Sequence, residues 1–356
     1  MHGRSARLRR IALDGSARLR AQGLGEARAR DAHGAVRTAL AIQAQDTRGS
    51  RLGVRARSEG LVVGDVARAC DEERSVVRTW AMRGTLHMLA AEDVRWIVGL
   101  LGPGVLRRYA RRRAELGLTP RVCERILAET PRALAGGPLS RAELVAALGA
   151  RGVAIDPSGQ APAHAVLLVS AAGLTCRGPD RSPDEPTYVL LDDWVAPGPP
   201  RERDAALAEL ARRFRAAHGP ADAGDLRYWS GMAAGDARRA WALAGPPPPP
   251  PPPPAEGPPP PRLLPAFDGV LLGHRDRTPL VRAADEGALT AGTWILPAVI
   301  AGGRAVGTWR RDGGDVVLRP FRGHLPRGSV RDLRAEAADV GRFLGLDVRM
   351  TVEPPP

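Results

Sequence analysis

The stretch Val76-Val77-Arg78-Thr79-Trp80-Ala81-Met82-Arg83-Gly84-Thr85-Leu86-His87-Met88-Leu89 reads as two extended runs around a glycine that permits a tight turn or bulge. Before it, from Arg7 to Cys70, the pattern is helical and rich in Ala and Arg. Helices followed by a small hairpin is the order of a winged helix, and the same order returns downstream. Thr119-Pro120 fits an N-cap with Pro at the first helical position, and Ser140 with Glu143 has capping-box spacing ahead of Leu144, Val145 and Leu148. An apolar helix over about Ala161 to Ala172 then leads into extended pieces at Leu174–Arg177 and Thr187–Leu191. Between the two sets, Ala91–Leu101 and Gly104–Leu116 read as helices.

A third helical set covers Arg203–Ala217, Asp225–Gly231 and Ala233–Leu243, but nine prolines, Pro246–Pro254, stand where its hairpin should follow. Such a run forms a polyproline II rod of roughly 28 Å at about 3.1 Å per residue, read here as a linker or insertion. Beyond Pro261 the chain turns β-rich, with extended stretches at Leu263–Gly273, Thr293–Ile300, Ala305–Arg310 and Val316–Arg319. A helix near Val330–Leu344 and a strand near Asp347–Val352 close it. The fold class is therefore α+β, tandem winged-helix (helix-turn-helix) units with a β-rich C-terminal part. Unit 1 is placed at residues 1–118, unit 2 at 119–200 and the helices of unit 3 at 201–245. A Pro-rich linker or insertion follows at 246–261, then a β-rich part at 262–356 completing unit 3.

The 356 residues carry 52 basic against 39 acidic side chains, a net charge of +13 that suits a polyanionic partner. Every base is Arg, because the sequence holds no Lys and no Asn. Without Lys, Schiff-base lyase and pyridoxal chemistry have no side-chain amine to use. Cys70, Cys123 and Cys176 are far apart and form no C-x-x-C pair, so neither a disulfide framework nor a zinc site is indicated. No P-loop or dinucleotide fingerprint is present, and no cofactor or nucleotide is expected. The arginine-rich start, Arg4–Arg10, lacks the apolar core of a signal peptide, and no run of 18 apolar residues occurs. A cytoplasmic, nucleoid-associated protein that does not enter a membrane is expected.

Val36, Leu40 and Gln43 continue one helical stripe, which puts an uncharged amide where burial is expected. A core Gln satisfied by backbone is one reading. Gln45 lies two residues on, about 200° away in a continuing helix, so both amides face one site only if the helix ends or distorts. Asp46-Thr47-Arg48-Gly49-Ser50 is a breaker-rich run that permits this. Arg83 and His87 share a face if their segment is an unbulged strand, and read either as a site or as a phosphate-touching Arg beside a core His. Arg107 and Arg111 belong to a basic helical run that is either a solvated face or a phosphate track. His274, Asp276 and Arg277 form a strand-end polar cluster or a structural ion pair.

Four stretches together resemble the bacterial AlkZ-type winged-helix DNA glycosylases. They are Leu40–Asp46, Val77–His87, Leu264–Asp268 with Gly273–Arg277, and Val306–Arg310, in an order and spacing that span nearly the whole chain. The resemblance implies three tandem winged-helix units around duplex DNA and a Q-x-Q motif that activates water to excise N7-alkylated purines. Gln43 and Gln45 fall on that motif as the catalytic pair. Arg83, His87, Arg107, Arg111, His274 and Arg277 are the candidate DNA contacts, with no metal ligand. The activity expected is that of a monofunctional, monomeric DNA glycosylase in repair or self-resistance to alkylating agents. The alternative is a non-catalytic winged-helix DNA-binding protein, a regulator or damage sensor. A third reading makes the basic surface a protein or membrane docking platform.

Overall fold

The computed structural model describes residues 15–182, 185–198, 201–246 and 257–354. The arginine-rich start and Pro247–Pro254 lie outside the described residues. A helix, α1, has its described part at residues 15–21. Then come α2 (Ala32–Ala39), β1 (Ile42–Gln43), α3 (Thr47–Arg57), α4 (Val63–Asp71), β2 (Val76–Trp80) and β3 (Leu86–Ala90), whose strands pair antiparallel in the order β1-β3-β2. After α5 (Ala91–Arg108) and α6 (Ala110–Glu115) the same succession repeats. It runs through α7 (Pro120–Leu134), β4 (Leu139–Ser140), α8 (Arg141–Gly149), α9 (Ala161–Ala171), β5 (Thr175–Ser182) and β6 (Glu185–Leu190), in sheet order β4-β6-β5. Both are helix, strand, helix, helix, hairpin, the winged-helix order.

The marked helix starts form as their chemistry dictates. Thr119 accepts from the Val122 N–H at 3.4 Å, and Ser140 and Glu143 cap one another's backbone at 3.3 and 2.7 Å. One boundary differs from expectation: α5 runs unbroken through Gly102-Pro103-Gly104. Gly102 serves close packing there, since a Cβ would sit 2.1 Å from the Ala171 carbonyl of α9. The residue that the Pro103 ring would press, four positions back, is Gly99.

A short helix α10 (Leu191–Trp194) precedes the third helical set, α11 (Arg203–His218), α12 (Ala223–Ser230) and α13 (Ala234–Leu243). The strands that follow join a five-stranded sheet instead of a three-stranded one. It comprises β7 (Arg262–Leu264), β10 (Ala298–Ala301), β11 (Arg304–Asp312), β12 (Asp315–Pro320) and β13 (Arg349–Val352), in the order β13-β12-β11-β10-β7, while β8 (Thr290–Ala291) and β9 (Trp294–Ile295) pair only with each other among the described residues. Only the β12–β13 pair is parallel. The stretch Leu263–Gly273 is extended only to Leu264: Pro265 has no N–H for the ladder, Phe267 is left-handed (φ 58°), and Asp268 caps a short helix, α14 (Gly269–Leu272).

Two buried ion pairs fasten this β-rich part to α3. Arg55 donates to Glu336 at 2.7 Å on the closing helix, Ser329–Leu344, and to the Leu263 carbonyl at 2.8 Å. Arg57 grips Asp268 through both guanidinium nitrogens at 2.7 and 2.8 Å and donates to Gln22 at 2.9 Å. A separate apolar cluster joins α11, α12 and α13 to α5 and to one face of the first sheet, through Ala41, Val77 and Leu89. The opposite face, with Ile42, Leu86 and Met88, packs on Val36, Val54 and Val66 of its own helices. The first sheet is thus covered on both sides, and its strand edge lies where the two clusters end.

Candidate active site

The stripe from Val36 does not reach Gln43 as helix. Helix α2 stops at Ala39, Leu40 turns left-handed (φ 67°), and Ile42–Gln43 is strand. The helix ends before the first glutamine, not at the breaker run after the second. In extended chain the side-chain period is two, so Ala41, Gln43 and Gln45 share a face. The Ala44 N–H donates to the Leu86 carbonyl at 2.8 Å, which carries the pairing one residue beyond β1 and keeps that alternation. Ala41 is buried, Gln43 half-buried and Gln45 exposed, a gradient from core to solvent along three alternate positions.

The two amides meet: Gln43 Nε2 donates to Gln45 Oε1 at 2.8 Å. This leaves Gln43 Oε1 buried and without a partner. A buried carbonyl oxygen that accepts nothing costs about 1–3 kcal/mol, so its retention at the solvent rim marks a place for an external donor.

Across the sheet Gln43 stands opposite His87, and His87 opposite Thr79, so the three side chains form one row. His87 is buried, and its Nδ1 donates to the Thr85 carbonyl at 2.9 Å. Burial, with some repulsion from Arg83, holds its pKa down to about 4, so the ring is neutral at physiological pH. The nearest carboxylate in sequence, Asp46, accepts from the Arg48 N–H at 3.0 Å as the N-cap of α3. The row therefore offers amide and imidazole dipoles without a formal charge. It can orient a water or a sugar but has no ready proton donor. Among the described residues no group of three His, Cys, Asp or Glu side chains could hold a metal ion.

The other candidates divide. Arg83 does not share a strand face with His87, because it lies in the 3-10 turn Met82–Gly84 with φ 57°. It lines, with Arg107, a cleft of about 210 Å³ beside α12 and α13. Arg111 is exposed and paired with Glu115 at 2.9 Å, a solvated helix face. His274 is sealed in the interior, its Nε2 donating to the His218 carbonyl at 2.7 Å, with burial holding its pKa down to about 4. Arg277 is ion-paired with Glu286. His274 and Arg277 are both engaged within the fold in this arrangement, because the chain from Phe267 is coil and short helix folded inward, not a strand that ends at a surface.

Arg108, from the same basic run as Arg107, and Arg203, which sequence reading missed, line the cleft with Arg83 and Arg107. They come from α5 and α11, and nothing local in the sequence marks their meeting.

With this geometry in view, likeness to known proteins can be stated. Residues 36–343 match the family model described as "DNA glycosylase AlkZ-like". A curated relative from Streptomyces sahachiroi, "Interstrand DNA cross-link repair glycosylase", is 29% identical over 304 residues, which is 76% of this chain and 80% of that protein. The solved structure of Streptomyces sahachiroi DNA glycosylase AlkZ superposes with a TM-score of 0.75 at 25% identity, covering 95% of this chain and 98% of that one.

Proposed function

Because the chain belongs to the AlkZ-like DNA glycosylase family, we propose that it hydrolyses the N-glycosidic bond of N7-alkylated purines in duplex DNA, with Gln43 and Gln45 holding the water. Bulky and crosslinked adducts are included, as the curated relative's name suggests. The observation that carries this reading is the Gln43–Gln45 hydrogen bond, which fixes both amides and leaves Gln43 Oε1 unpartnered at the rim.

Alkylation at N7 makes the purine a cation. When the C1′–N9 bond breaks, its electron pair neutralises the ring and the base leaves uncharged. The water oxygen bonds C1′ and its proton passes to solvent. Such a reaction needs orientation of the water and tolerance of an oxocarbenium-like sugar more than it needs a strong acid. An amide oxygen accepts from water and faces a cationic sugar without the desolvation cost of a buried carboxylate. His87, held neutral, adds no positive charge beside that sugar. Lacking Lys, the protein has no side-chain amine to condense with the resulting aldehyde, so the abasic site stays uncut. The protein acts as a monomer in repair or self-resistance.

The test is base release from an oligonucleotide bearing N7-methylguanine or a bulkier N7 adduct, read as alkali-labile sites. Gln43→Ala is expected to slow single-turnover release about 10²-fold, the cost of losing a positioned reactant, while duplex affinity changes less than about twofold. Binding of duplex DNA with no release from any N7 adduct would replace this reading with a catalytically silent DNA-binding protein.

A further inference from the structure

The cleft of about 210 Å³ is walled by three segments far apart in sequence: the β2–β3 turn with Arg83, the end of α5 with Arg107 and Arg108, and the α12–α13 turn, Ser230–Ala233. Arg203 reaches it from α11 and is neutralised by Asp236 at 2.9 Å. Arg83 and Arg107 have no carboxylate partner among the described residues. Among the described residues Arg108 donates only to the Gly231 carbonyl, at 2.6 Å.

Arg83 is held in this place at a cost. Its backbone is left-handed, which a side chain larger than glycine adopts unwillingly, and such strain persists only where the surroundings impose it. They do so here from both ends. The Tyr109 hydroxyl donates to the Arg83 carbonyl at 3.3 Å, and Gly84 is pressed so close that a Cβ would lie 2.6 Å from the Tyr109 ring. At the side-chain end, the space a Cβ on Gly231 would need is 3.0 Å from Arg83 Cγ and from Arg108 Nη2. The Arg83 guanidinium is set 5.9 Å from the Tyr228 ring centroid, which gives some cation–π compensation but no counter-charge. Burial and the neighbouring Arg108 both disfavour its charge. Strain, partial burial and like-charge proximity are thus concentrated on one cation beside an open cleft, an arrangement that an anion would relieve.

We propose that Arg83, Arg107 and Arg108 hold one backbone phosphate of the DNA strand that carries the damaged base. The placement relative to the glutamines supports a phosphate in the chain over a free anion. Continued pairing puts Gln45 opposite Thr85, and the Arg83 Cα lies within about 7 Å of the Thr85 Cα by chain length. A duplex strand rises about 3.4 Å per nucleotide, so the phosphate in the cleft falls within a few nucleotides of the sugar at Gln43 and Gln45. The cleft then joins α12 and α13 to the first sheet through the substrate and sets the register in which the sugar meets the glutamines. The proposal rests on the DNA-binding part of the function above, not on excision.

The experiment measures affinity for an undamaged duplex against salt concentration. Arg83→Gly suits the left-handed backbone and keeps the turn. It is expected to weaken binding several-fold and to reduce the slope of log K on log salt by up to about 0.9, the most that one phosphate contact contributes. Arg83→Lys should recover most of the slope, because charge and not shape sets counterion release. On a second duplex carrying an N7 adduct, which fixes the register, a single neutral methylphosphonate near the lesion should weaken binding by the wild type and leave Arg83→Gly indifferent. An unchanged slope in Arg83→Gly and in Arg107→Gln would overturn the proposal. So would a neutral methylphosphonate that weakens Arg83→Gly as much as it weakens the wild type. Because the salt slope is read on an undamaged duplex, it leaves base release unjudged, and failed base release would leave the cleft standing.

Discussion

The first strands of the two repeated units occupy the same place in the same topology and are used differently. In the second unit β4 runs directly into α8: Ser140, opposite Thr187, is itself the N-cap, and its hydroxyl is consumed by the Glu143 N–H. In the first unit three residues stand between strand and helix. Asp46 takes over the capping, and Gln43, opposite His87, has no helix to start. The insertion of Ala44-Gln45-Asp46 thus relieves one polar position of its structural duty and adds a second amide on the same face. The freed pair bond each other and leave Gln43 Oε1 unpartnered, which is what the proposed site uses. Its counterpart in the second unit is a helix start whose Ser140 and Glu143 side chains each accept from the other's backbone N–H.

If the first strand owes its position to what lies behind α3 rather than to a cap, the largest effect on stability should come from there. Arg57 and Asp268 are both about 1% exposed, and removing one partner leaves the other charge buried and alone. Arg57→Met is expected to cost about 3–5 kcal/mol, measured by urea unfolding. A loss near 1 kcal/mol would mean that the β-rich part does not anchor the strand.

The cross-strand partners differ as sharply as the strands. Thr187 cannot titrate in the accessible range, whereas His87 has a folded-state pKa of about 4 against roughly 6.5 in an unfolded chain. Folding therefore favours the neutral ring. The contribution is complete above pH 6.5 and is lost as pH falls toward 4, where the unfolded chain takes a proton that the folded one refuses. His218 and His274, also held down by burial, add to the same slope, so the measurement is a difference. Stability of wild type minus His87→Gln should fall by up to about 1.4 kcal/mol per pH unit between pH 6.5 and 4, about 3 kcal/mol in all. Parallel curves would place a charged or solvated ring opposite Gln43.

Local chemistry explains how much of this was legible. The α+β order and the helix starts at Thr119 and Ser140 were readable because capping residues and apolar periods act within a few positions. The Q-x-Q pair was readable as a candidate, but its geometry was not: Leu40 turning left-handed is decided by tertiary packing, and a helical stripe through Val36 hides it. The sequence puts Arg83 on a strand face only if the segment is unbulged, and nothing in Met82-Arg83-Gly84 announces which residue takes positive φ; Gly84 does so too. The sequence leaves His274 open between a strand-end cluster and a structural ion pair because the inward fold of Phe267–Leu272 depends on Arg57, more than two hundred residues earlier. Contacts of that range leave no periodic trace.

The smallest effect falls on the strand without a site. Ser140→Ala removes the N-cap oxygen of α8 and is expected to cost about 1 kcal/mol of stability, read as a lowered urea midpoint at unchanged slope. Excision of an N7 adduct should stay within twofold of wild type, because the second strand offers no free group to the reaction. A variant that instead kept its stability and lost excision would show that both strands serve the chemistry, and the division of labour between cap and site would be wrong. The converse substitution in the first unit, Asp46→Ala, should cost a similar amount. It should also slow excision, since the cap fixes where the chain leaves the strand and hence where Gln45 points.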